Sequence, residues 1–213
     1  MFISYNEACA RDCSTLEQDL VLCEKAGFDY IEIRLDMLTD YLKRHTVEEL
    51  AAFFCTSRLK PHAFNALYLY PEFLSEGDDE ARQKELLEEF RLGCEVGRAI
   101  GSHYFIIVPP LQRDPAGGPY TGSWEDTFSN CVRILKELSR RAEPYDMNLC
   151  FELVGFERSS VRSIGQADAV VRAVDRPNVG FVFDSYNIFL NGGCNDFSAI
   201  GSVQPERYSP FTL

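Results

Sequence analysis

Short apolar segments of strand type alternate with segments of helical periodicity along this chain, and that alternation restricts the fold more than any other feature. Strands are expected at residues 2–6, 28–34, 61–67, 103–108, 147–154 and 178–184. Helices are expected at 14–27, 46–58, 78–100, 123–142 and 163–174. In the first helix Leu16, Leu20, Cys23 and Gly27 recur at helical spacing. Ser14 suits an N-cap, Glu17 three residues on completes a capping box, and Gly27 suits the C-cap. Ser163 plays the N-cap part for the last of these helices. Beyond residue 184 the pattern weakens to a turn at 191–195 and a short helix over 196–203.

Strands separated by helices form parallel neighbours joined by right-handed crossovers. Two closures satisfy this α/β pattern: an open doubly wound sheet, or a (β/α)8 barrel of roughly 250 residues. The turn after the first strand carries no G-x-G-x-x-G, which argues against a dinucleotide site. Residues 1–213 read as one domain with about six βα units.

Charge narrows the partners. The chain carries 21 Lys+Arg against 33 Asp+Glu, a net charge of −12. Nucleic-acid binders and polybasic membrane anchors gain affinity from clustered cations, so neither is expected. No apolar run approaches the roughly 20 residues that span a bilayer, and residues 1–7 lack the basic and apolar regions of a signal peptide. The eight cysteines include no C-x-x-C. Cys23, Cys94 and Cys131 fall on apolar helix faces and read as core residues. A cytoplasmic protein with reduced thiols is the expectation.

In parallel α/β folds the chemistry gathers at the C-terminal ends of the strands. The polar residues there are Asn6 and Glu7, Glu32 and Arg34, Asn65, Glu152, and Asp184 with Ser185. Pleat parity puts Glu152 on one face with Asn148 and Cys150, opposite Phe151 and Leu153. It puts Asp184 with Val182, opposite Phe181 and Phe183. A buried carboxylate is costly unless paired or bound to a cation. Glu152 and Asp184 on adjacent strands suit one divalent ion. The same acids with Glu32 and Arg34 also suit a buried ion-pair network, and the residues alone support both readings. Of the three histidines, His62 and His103 open strands at the opposite end and His45 lies in a helical stretch, so Ser-His-Asp or Cys-His catalysis is not expected.

Five segments together resemble the xylose isomerase-like TIM barrels, the sugar phosphate isomerase/epimerase group. They are FISYNEA (2–8), QDLVLCEKAGFDYIEIR (18–34), LKPHAFNAL (59–67), AEPYDMNLCFELVGF (142–156) and RPNVGFVFDSYN (176–187). Within the group the chain looks most similar to the inosose isomerases of inositol catabolism. The resemblance implies a (β/α)8 barrel whose mouth holds one divalent ion, zinc or manganese. The family's ligands are a Glu on strand five, an Asp on strand six, a His on strand seven and a Glu on strand eight; Glu152 and Asp184 match the first two.

The reaction so implied is isomerisation or epimerisation of a small polyhydroxy ketone through an enediolate. Glu152 would be the catalytic carboxylate. Asn6, Glu32, Arg34, Asn65 and Asn187 would contact substrate hydroxyls. The chain departs from the family in two places. Asn187 stands where relatives carry His after Asp-Ser-aromatic. Residues 208–213 lack the apolar strand ending in His, so the barrel is expected to be incomplete, truncated before strands seven and eight and impaired in catalysis, with open sheet edges that invite a homo-oligomer. A hydroxypyruvate or keto-sugar isomerase is the alternative within the group. A barrel remnant that acts by binding is the alternative outside it.

Overall fold

Strand pleating sets the architecture: large apolar side chains and small or polar ones alternate along the strands, so one sheet face needs a cover of helices. The computed structural model describes residues 2–10, 13–69, 80–112, 117–191, 198–203 and 208–212. The elements are β1 (Ser4–Asn6), α1 (Leu16–Ala26), β2 (Tyr30–Arg34), α2 (Leu35–Tyr41), α3 (Val47–Thr56), β3 (Lys60–Tyr68), α4 (Glu80–Ile100) and β4 (Tyr104–Val108). They continue with α5 (Trp124–Ala142), β5 (Asn148–Glu152), α6 (Ile164–Val174), β6 (Val179–Phe183), α7 (Ser185–Leu190) and β7 (Tyr208–Thr212). All neighbouring strands are parallel and follow chain order from β1 to β7. Sequential parallel strands joined by helices make the wall of a βα-barrel.

Parity divides the core in two. Ile31, Ile33, Phe64, Phe105, Phe151 and Phe181 point outward and pack with the helices. A second cluster inside the wall uses smaller groups, among them Ala63, Ala66, Cys150 and Val182. Cys23, Cys94 and Cys131 are buried as free thiols, as the helical pattern implied. Cys194 lies outside the described residues. No helix among the described residues is long and apolar enough to cross a membrane.

Several boundaries differ from expectation. Thr15, not Ser14, caps α1, because Thr15 has the extended backbone of an N-cap. Its hydroxyl accepts from Gln18 N, while Gln18 closes the capping box that Glu17 was expected to form. Ser14 instead donates to Asp19 at 2.9 Å. Gly27 ends α1 with φ +86°, the left-handed conformation glycine adopts without strain. Helices α2 and α7 follow β2 and β6 directly and were not expected; six or seven residues complete too few turns to show a period. The helix expected over 196–203 is a 3-10 turn at Ser198–Ser202. Most of the turn expected at 191–195 lies outside the described residues.

The sequence pattern offered no strand over 208–213, yet Tyr208–Thr212 pairs in parallel with β6. The backbone edge of β6 supplies the pairing, which needs no apolar alternation in the incoming segment. Pro210, which has no N–H, is tolerated because β7 is the last strand in the order.

Ser163 caps α6, its hydroxyl accepting from Gln166 N at 3.3 Å while Gln166 Oε1 accepts from Ser163 N at 3.2 Å. Replacing Ser163 with Ala is expected to lower stability by about 1 kcal/mol, read as a shift in the urea midpoint with unchanged slope.

Candidate active site

Glu152 is the last residue of β5 and Asp184 directly follows β6. Neighbouring parallel strands therefore bring the two carboxyls to the same rim. Asp184 is also the N-cap of α7, its Oδ1 accepting from Tyr186 N at 2.8 Å. One turn of that helix then places Asn187 beside both acids. The Asn187 Nδ2 group donates to Glu152 Oε1 at 3.0 Å and to Asp184 Oδ2 at 2.7 Å. Its Oδ1 accepts from Gly155 N at 3.2 Å, which orients the amide.

Glu32 belongs to the same electrostatic group. It sits on β2, fully buried, and its Oε1 accepts from Asn65 Nδ2 at 2.6 Å. Its Oε2 has no hydrogen-bond partner. Burial, with the Asp184 charge behind it, pushes Glu32 up to about 7 against the pull of the Asn65 hydrogen bond. Burial pushes Glu152 up to about 8, and the charges of Asp184 and Glu32 add to the rise. Like charges held together out of water favour protonation.

The remaining candidates are engaged elsewhere. Asn6 Oδ1 accepts from Ala8 N at 2.8 Å in a local turn. Arg34 donates through Nε to Asp36 Oδ1 at 2.9 Å and pairs with the same carboxylate through a second nitrogen. Sequence reasoning thus named Glu152, Asp184, Asn187, Glu32 and Asn65, which the structure joins. It also named Asn6 and Arg34, which make local contacts instead. It missed Gly155, whose only sequence signal is that it follows β5.

The buried ion-pair alternative is not what forms. Among the described residues no salt bridge reaches Glu32, Glu152 or Asp184. The histidines stay away from the rim: His62 lies 3.4 Å from Ser4 Oγ beside Tyr30, and burial lowers it to about 4. His45 stacks on Tyr41.

The donor chemistry fits a divalent ion. Two neighbouring carboxyls repel, a third lies near with an unpartnered oxygen, and a neutral amide bridges where a cation would balance charge. Glu152 and Asp184 are the two adjacent carboxyls that could face such an ion. No group of three or more His, Cys, Asp and Glu residues arranged to hold an ion occurs among the described residues.

The family model for the xylose isomerase-like TIM barrel matches residues 20–208. The chain belongs to that family. It is 39% identical over 193 residues to the inosose isomerase of Bacillus velezensis, covering 90% of this chain and 65% of that protein. It is 37% identical over 193 residues to the inosose isomerase of Bacillus subtilis, covering 90% and 66%. The chain thus spans about 65% of the length of the curated relatives it matches. A crystal structure of IOLI protein with a binding zinc atom superposes with a TM-score of 0.83 at 34% identity, covering 97% of this chain and 70% of that one. A D-psicose 3-epimerase crystallised with D-fructose shares the fold, with a TM-score of 0.72 at 16% identity and coverage of 96% and 70%.

Proposed function

We propose that this barrel rim serves a metal-dependent isomerase or epimerase of small polyhydroxy ketones, with a keto-inositol as the substrate class. The observation that carries the reading is the Asn187 amide bridging Glu152 and Asp184, with Glu32 close enough to raise Glu152 further. The inosose isomerase relatives and the zinc-holding IOLI neighbour support it. Glu152 and Asp184 would hold zinc or manganese, which supplies Lewis-acid polarisation of a ketone oxygen when bound.

The chain's own groups do the rest. In this reading Glu152 moves a proton at the carbon beside the ketone, the step from which an enediolate follows. Asn187 holds the Glu152 carboxylate in one orientation. The Asn65 amide gives its Nδ2 hydrogen to Glu32, which leaves its Oδ1 free to accept from a substrate hydroxyl. Glu32 adds to the polar lining; Asn6 and Arg34 would reach a substrate hydroxyl only by loosening their contacts with Ala8 and Asp36.

Divalent metal per chain, measured on gel-filtered folded protein, tests the reading. About one ion per chain, absent from Glu152→Ala, is the expected result, followed by turnover of a keto-inositol. A folded sample that retains no zinc or manganese when supplied with either overturns the metal assignment and leaves binding without turnover.

A further inference from the structure

Glu7 opens the turn after β1 yet is closed to solvent, with 0% exposure. Its Oε2 accepts from Arg34 N at 2.7 Å, where β2 gives way to α2. Its Oε1 has no N–H or hydroxyl donor. The acid that acts on the Glu7 side chain is Asp19 of α1, itself buried. Asp19 Oδ2 also accepts from Ser14 Oγ.

Other titratable groups surround the pair without resolving it. Tyr5 comes from β1, Cys9 from the same turn as Glu7, and Cys23 from α1. Arg34 is the one cation acting on Glu7 from β2, and its guanidinium is held by Asp36. Two ionised carboxyls in contact away from water repel, and an acid oxygen without a donor carries an unmet desolvation penalty. One proton removes both problems, because a protonated Glu7 donates to the Asp19 carboxylate.

We propose that Glu7 is a positioning residue that carries a proton at neutral pH and shares it with Asp19. That proton ties the first βα turn and the end of β2, where Arg34 stands, to helix α1. Loss of the proton leaves two adjacent charges, and the Glu7 carboxylate moves toward water, releasing Arg34 N.

Burial pushes Glu7 from 4.5 up to about 8. A raised acid favours the folded state fully below its unfolded value of 4.5. That contribution is lost as pH climbs toward about 8.

The test follows side-chain carboxyl carbons by NMR through a pH titration of the whole chain, with the Glu7 signal assigned by its absence from Glu7→Gln. Glu7 is expected to stay protonated through neutral pH. In Asp19→Asn the new amide donates to Glu7, so its proton affinity is expected to fall at least ~tenfold, one pK unit. A Glu7 that titrates in the ordinary carboxylate range overturns the proposal, and so does an Asp19→Asn titration identical to the parent.

Amide exchange at Arg34 reads the positioning itself. Its protection is expected to drop ~tenfold between about pH 6 and about pH 9 in the parent. It is expected to hold nearly constant in Glu7→Gln, whose neutral amide reproduces both contacts at every pH. Equal pH dependence in the two proteins overturns the positioning role even if Glu7 holds its proton. Should Glu7→Gln not fold, the signal is assigned by selective labelling and the Asp19→Asn titration decides alone.

Discussion

Glu152→Gln is expected to abolish ion retention and to lower turnover by about 100- to 10,000-fold, while raising the melting temperature of the metal-free protein. The two effects have one cause. Glu152 lies 9% exposed beside Asp184 and within the field of Glu32, and its carboxyl is driven from 4.5 up to about 8. An acid raised in this way destabilises the fold increasingly as pH rises from 4.5 to about 8, because the unfolded chain ionises first.

Glutamine keeps the length of the side chain and an Oε1 to accept from Asn187 Nδ2, and it removes the charge. The gain is expected to be on the order of 3 kcal/mol near pH 7, or about 9 °C in melting temperature. It should vanish below about pH 4.5, where the parent carboxyl is neutral in both states. Melting curves of parent and variant across that range, with metal content and turnover at neutral pH, measure all of it. A variant that melts lower than the parent at pH 7, or that turns over normally, contradicts the account.

The second large effect is expected at Gly155. A Cβ built there would stand 2.1 Å from Asn187 O, 2.7 Å from Leu190 Cβ and 2.9 Å from Asn191 N. Two of these are backbone atoms of α7 and its C-cap, so no side-chain rotation relieves the clash. Gly155→Ala is expected to cost about 3 kcal/mol by pushing α7 away from the end of β5. The displaced helix carries its Asp184 cap and Asn187 with it, so metal retention should fall together with stability. Gly165→Ala is the control: nothing lies within 4 Å of a Cβ there, and the change is expected to stay within about 0.5 kcal/mol of the parent. Urea unfolding and metal content of both variants test the contrast. Equal stabilities would refute the packing argument.

Much of the barrel wall was legible in the residues. Six strands and five long helices announced themselves by period, and pleat parity placed Glu152 and Asp184 on the inner face. The metal-site candidates came from that parity and from resemblance, and the structure brings both to one rim. Asn6 and Arg34 show the boundary of this reasoning. Each stands at a strand end, as expected, but an Asx turn to Ala8 and an ion pair with Asp36 engage them locally. Which partner a polar side chain takes depends on distances of a few tenths of an ångström that a residue pattern does not encode.

Side-chain periodicity is a local property, so the alternation of strands and helices, the inward face of each strand and the acids on it could all be read from the residues. Packing set the rest: Asn187 spans two carboxyls, Gly155 has no room for a side chain, residues 208–212 pair with β6, and Glu7 is buried near Asp19. Asn187 and Glu152 are 35 residues apart and Glu7 and Arg34 are 27 apart. Contacts at such separations form when packed elements converge, and the energy that selects them, burial of charge and exclusion of overlap, exists only once the elements have met.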